Sequence, residues 1–84
     1  MTQSGLTQND FYFTTSLSLA AVLSLSYPIE SIDKSNPAKA TFIFRRDENL
    51  DQLVEGFWKQ ELRVEPQTYF NQLRSVKSRL YSER

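Results

Sequence analysis

The side chains best equipped for chemistry in this sequence are cations set among aromatic rings. Arg45-Arg46, Arg63, Arg74, Lys77 and Arg79 share the chain with Tyr12, Tyr69 and Tyr81. Guanidinium and ammonium groups neutralise phosphates and aromatic rings stack on bases, so such a set could hold a nucleic acid. Trp and Tyr beside Arg are equally the residue types that concentrate at protein interfaces. A formal net charge of zero, and no motif of the kind that marks RNA-recognition sheets, weigh against the first use. A second group, Asp47, Glu48 and Asp51, could offer oxygen ligands to a divalent cation. It lacks the spacing and glycine of a calcium loop, and acids gather at a helix start because the dipole favours them there.

Several kinds of chemistry are excluded outright. The 84 residues include no histidine and no cysteine, which removes disulfides, thiolates, the usual general base and the soft metal ligands. Serines and threonines are frequent, but none stands beside a partner base or in a Gly-Ser elbow, so they read as caps and surface. Gly5 and Gly56 cannot build a phosphate-binding loop. No pair of acids is singled out for carboxylate catalysis. No catalytic, cofactor or metal-binding residue is assigned, and an enzyme is the least favoured class.

The elements that must position these residues follow from periodicity and punctuation. Met1 to Asn9 is polar and aperiodic and is expected to be a flexible tail, with one domain over residues 10–84. Phe11-Tyr12-Phe13 reads as a strand that runs into a helix cap at Thr14-Thr15-Ser16. Leu17 to Leu25 has a mixed pattern and is taken as a helix because of Ala20-Ala21, ending before Tyr27-Pro28. Ile29 to Ile32 is a short strand, Asp33 to Ala38 a loop centred on Asn36-Pro37, and Ala40 to Arg46 the clearest strand. In that strand Ala40, Phe42 and Phe44 share one face and Thr41, Ile43 and Arg45 the other. Asp47 or Asn49 caps a second helix, in which Leu50, Leu53, Val54 and Phe57 form one apolar face and Gly56 is a mild flaw. Trp58 is expected to close the core edge under Leu62-Arg63-Val64; were it exposed, it would become an interface anchor. Pro66 opens a third helix to Tyr81, with Tyr69, Leu73, Val76 and Leu80 inward, Phe70 and Tyr81 extending that face, and Arg79 turned away from it. Aromatic residues are taken as core by default, because so small a domain needs them there.

The order strand, helix, strand, strand, helix, helix predicts an α+β fold: a small, mostly antiparallel sheet with helices packed on one face, the last two as an antiparallel hairpin. Charge is uneven along the chain. Residues 47–62 carry five acids against Lys59, and residues 63–84 carry five bases against Glu65 and Glu83. The two segments are expected to lie against each other and offset one another. The run Leu17 to Leu25 is too short to span a bilayer, and Met1 to Asp10 has no basic residue of a signal peptide. A soluble, cytoplasmic protein is the expectation.

Leu53-Val-Glu-Gly-Phe-Trp58 and Leu62-Arg-Val-Glu-Pro-Gln-Thr-Tyr-Phe70, continuing through Leu73-Arg74 and Lys77, resemble an uncharacterised small-domain family of bacteria, archaea and their mobile elements. Phe13-Thr14-Thr15 matches the aromatic-Thr-Thr start of its members, and the resemblance spans about residues 11–81. Ser26-Tyr27 stands where that family has a Gly-aromatic helix end. The resemblance implies a compact prokaryotic domain with no established activity, and so carries over no site residues.

The sequence therefore predicts a non-enzymatic accessory or adaptor domain that binds another protein or self-associates. The alternative is a nucleic-acid-binding module using a C-terminal basic and aromatic surface. Arg45, Arg46, Trp58, Arg63, Arg74, Lys77 and Tyr81 are the candidate surface for either, with no cofactor and no membrane involved.

Overall fold

The computed structural model describes residues 10–36 and 38–82, so the expected N-terminal tail, Pro37 and residues 83–84 lie outside the described residues. The chain runs through β1 (Phe11–Thr14), α1 (Leu17–Ser24), β2 (Ile29–Asp33), β3 (Thr41–Arg45), α2 (Glu48–Trp58) and α3 (Pro66–Ser82). This is the expected element order of an α+β fold. The sheet is antiparallel throughout, in the order β1-β3-β2.

The alternation in β3 sets the two faces of the sheet. Phe42 and Phe44 are buried, and opposite them stand Thr14 and Tyr12 on β1 and Ile32 and Ile29 on β2. Directly opposed residues share a face, so these six side chains form the core side. Ile29 and Ile32 are three apart and would point to opposite faces of a regular strand. A bulge between Ile29 and Ser31 absorbs the extra residue and brings both to the core. The other face carries Phe11, Phe13, Thr41, Ile43 and Arg45, with Ser31 and Asp33 across from Ile43 and Thr41.

α1 is the centre of the helical layer. Ser16 caps it, its Oγ accepting from Leu19 N–H at 3.1 Å, and Thr14 Oγ1 in turn accepts from Ser16 N–H at 3.0 Å. Leu19, Ala20, Ala21, Val22 and Leu23 are all buried. A helix covered on every side has no polar stripe, which is the physical reason for its mixed pattern. It packs against both α2 and α3, while those two make no comparable contact with each other. The expected α2–α3 hairpin is thus not formed: α1 occupies the place between them.

α2 begins at Asp47, whose Oδ1 accepts from Leu50 N–H at 2.8 Å. Leu50 is buried, and Leu53, Val54 and Phe57 pack at the core margin. The helix ends in a Schellman motif: Glu61 N–H reaches Gly56 C=O at 2.9 Å and Gln60 N–H reaches Phe57 C=O at 3.1 Å. Gln60 takes the left-handed conformation this requires, φ 61°. α3 starts with Pro66 in its first turn, and Glu65 Oε1 accepts from Thr68 N–H at 2.8 Å. Val76 reaches the core, flanked by Tyr69, Leu73 and Leu80, and Lys34 Nζ donates to the Leu80 carbonyl at the far end.

Candidate docking groove

Since α1 keeps α2 and α3 apart, the connection between them crosses a gap instead of a packed seam. A groove of about 480 Å³ opens there. Val22 of α1 forms its floor, Phe57 one wall, Tyr69 and Phe70 the other, and Leu62 and Val64 of the connection line it. The lining is mainly apolar, the usual character of a site that binds by desolvation.

Trp58 stands beside this groove, its ring edge-on to Phe57 with centroids 5.0 Å apart and planes at 87°. It is 61% exposed, which corrects the expectation that it closes the core edge. Two causes act together. Trp58 lies one helical step, roughly 100°, beyond Phe57 and so off the apolar face. The space beneath the connection is filled by Leu62, which folds onto Gly56: a Cβ there would lie 3.1 Å from Leu62 Cδ2. Gly56, read as a flaw in the helix, is what admits Leu62.

Aromatics are also less buried than expected on α3. Phe70 is 57% and Tyr81 72% exposed, so they do not extend its inner face. With Arg74 and Lys77, both exposed, they are spaced four, three and four residues apart, which aligns all four in one outward stripe about 16 Å long. Phe70 belongs to both the groove and the stripe. Tyr12 and Tyr69, considered as stacking platforms, are half-buried and packed against the core. Arg79 is drawn inward instead of away from the apolar face, with Nη1 donating to Ile29 C=O at 3.3 Å.

The candidate cations do not converge on one surface. Arg63 is exposed in the connection between the groove residues Leu62 and Val64, and Arg74 and Lys77 lie on the stripe. Arg45 is elsewhere, on the open sheet face with its guanidinium 5.2 Å from the Phe11 ring centroid. Arg46 sits where β3 meets α2 and is held by Asp51, Nε to Oδ1 2.9 Å; that hydrogen bond raises the Arg46 pKa further. Nor do the C-terminal bases offset the acids of α2. Among the described residues the ion pairs are Arg46–Asp51 and Lys59–Glu55, both within α2 and its flanks. Arg63, Arg74 and Lys77 are in no ion pair there.

The acids at the start of α2 are engaged in structure. Tyr27 Oη donates to Asp47 Oδ1 at 2.7 Å, the oxygen that also caps the helix. The hydrogen bond from Tyr27, then that from Leu50 N–H, holds the Asp47 carboxyl below its ordinary range. The same bond, with desolvation and the nearby carboxylates, pushes the Tyr27 hydroxyl up to about 12. Among the described residues no three acids come close enough to hold a metal ion, and no helix is long and apolar enough to cross a membrane.

Leu62, Val64 and Val22, which line the groove, are the candidate-site residues that sequence reasoning missed. The available signal was Gly56, a helix-interior glycine opposite an apolar residue just past the helix end. No curated protein and no solved structure matches the chain. A family model covers nearly all of it: the chain belongs to the family described as a domain of unknown function (DUF5659), whose sequence model matches residues 9–82.

Proposed function

We propose that the chain is a non-enzymatic, cytoplasmic docking module that binds another protein in the groove between α2 and α3. The observation that carries this reading is a pair of exposed aromatics at an apolar groove: Phe70, which lines it, and Trp58, whose ring stands edge-on to the lining residue Phe57. Large rings left in water beside a concave apolar surface have the composition and setting of interface hot spots. Arg63 lies between the groove residues Leu62 and Val64, Arg74 and Lys77 continue along α3 from Phe70, and none of the three is in an ion pair among the described residues, so the segment that fits is an apolar row flanked by carboxylates. The absence of histidine and cysteine supports a binding role over catalysis.

Affinity capture from nuclease-treated extract of the source cells tests this. Wild-type protein is expected to retain a partner that Trp58→Ala and Phe70→Ala lose at least about tenfold, the usual cost of truncating an anchor. Equal recovery by both variants would overturn the assignment. A second reading, nucleic-acid binding, is favoured by the Phe70-Arg74-Lys77-Tyr81 stripe alone. Its signature would be association with single- or double-stranded nucleic acid at tens of micromolar that weakens steeply with salt. Salt-independent or undetectable association removes it.

A further inference from the structure

The groove leaves one apolar surface unaccounted for, on the opposite side of the molecule. The domain is a slab only 19 Å across its thinnest direction, a sheet with helices on one side. An antiparallel sheet with one open face normally shows polar side chains there. Here the open face has Phe11, Phe13 and Ile43 side by side, with Phe13 directly opposite Ile43 and 46% exposed. Charges stand at its two ends. Arg45 lies opposite Phe11 at one end, and Asp33 lies opposite Thr41 at the other. Neither is in an ion pair among the described residues, and hydrogen bonds from Ser35 hold the Asp33 carboxyl below its ordinary range.

We propose that this face pairs with the same face of a second copy of the chain, sheet on sheet. An apolar centre with a cation at one end and an anion at the other is complementary to itself. A two-fold axis lying in the interface across the strands, near the Phe13–Ile43–Ser31 row, exchanges the ends, so Arg45 of each copy meets Asp33 of the other. β2 and β3 are one strand spacing apart, about 4.8 Å, which an arginine side chain spans. The product is a four-layer sandwich with two sheets about 10 Å apart. Zero net charge means no overall repulsion opposes it. Three short strands offer less surface than the roughly 800 Å² per partner of a stable interface, so the dimer is weak and exchanges with monomer at roughly 10 to 500 µM.

Sedimentation equilibrium from about 10 µM to about 1 mM, at about 50 mM salt, reads this directly. The weight-average mass of wild type is expected to climb from 9.8 kDa toward twice that value. Phe13→Glu is expected to stay monomeric with an unaltered circular dichroism spectrum, while its melting temperature falls by no more than several degrees for the lost Phe13–Ile43 pair. Arg45→Asp and Asp33→Arg are each expected to weaken pairing at least about tenfold by placing like charges together. An equimolar mixture of those two variants restores both contacts and is expected to associate as wild type does. A wild-type mass fixed at the monomer value overturns the proposal, as does a mixture no more associated than its components. Self-association lost in Trp58→Ala but kept in Phe13→Glu also overturns it, and moves the dimer contact to the groove. The docking proposal stands or falls separately, since capture of a partner at Trp58 and Phe70 does not involve this face.

Discussion

Tyr27 and Asp47 show how much one residue pair can carry in a domain with a thin core. Through the 2.7 Å bond, the segment that follows α1 is tied to the cap of α2. The pKa shifts give it a pH signature. Asp47 is depressed in the fold, so its contribution is complete above its unfolded pKa, near 4, and is lost as pH falls through the lower folded value. Tyr27 is raised from 10.0 to about 12, so its contribution is complete below pH 10 and is lost as pH rises toward 12. The melting temperature of Tyr27→Phe is therefore expected to lie below wild type by a constant amount near neutrality. That gap should narrow in acid below about pH 4 and again above about pH 10; a gap that does not change with pH would show that Tyr27 acts by packing alone. Trp58 makes the opposite case. Since most of its ring is in water, Trp58→Ala is expected to change stability by about 1 kcal/mol or less, so that its loss of partner can be read as a binding effect.

At the scale of elements, the ends are where local rules compete. The end of α2 places a side-chain-bearing residue, Gln60, at φ 61°, where glycine is the unstrained choice. Gln60→Gly is expected to stabilise the domain by about 0.5 to 1 kcal/mol, less than the relief of strain because the unfolded chain also gains freedom. For a domain of this size that is a rise of roughly 2 to 8 °C in melting temperature, measurable by calorimetry. Element positions were legible in the chain because caps and breakers act within four residues. Ser16 and Asp47 cap α1 and α2 by bonds to the first turn, and Pro66 opens α3 with the preset dihedral its type predicts. The β2 bulge was not legible. Ile29-Glu-Ser-Ile32 carries no local sign of it; only the demand that both isoleucines face Phe42 and Phe44 creates it.

For the molecule as a whole, α1 is the element whose loss is least tolerable. Leu19 and Leu23 are fully buried among sheet and helix residues. Leu19→Ala is expected to cost about 2 to 5 kcal/mol, a large part of the roughly 5 to 15 kcal/mol margin of a natural domain. Leu25→Ala, just past the helix and 37% exposed, is expected to cost about 1 kcal/mol or less. Denaturant midpoints of the two variants measure the contrast, and comparable losses would show that α1 is not the central support.

The sequence by itself determined which segments are strands and helices, where they start, that the sheet is antiparallel, and that the chemistry of histidine and cysteine is absent. Those features follow from residue type and from interactions a few positions long. What the tertiary structure alone decided is which faces the elements leave in water. Placing α1 between α2 and α3 opened the groove, Leu62 seated on Gly56 left Trp58 in water, and Arg63, Arg74 and Lys77 form no ion pair with the acids of α2 among the described residues. Packing all helices on one side of the sheet exposed Phe13. A side chain's burial depends on neighbours distant in sequence, and helix order in a layer is set by the summed burial of all three helices. Arg45 and Arg46 are adjacent in the chain, yet one faces the open sheet beside Phe11 and the other is bound to Asp51 at the start of α2.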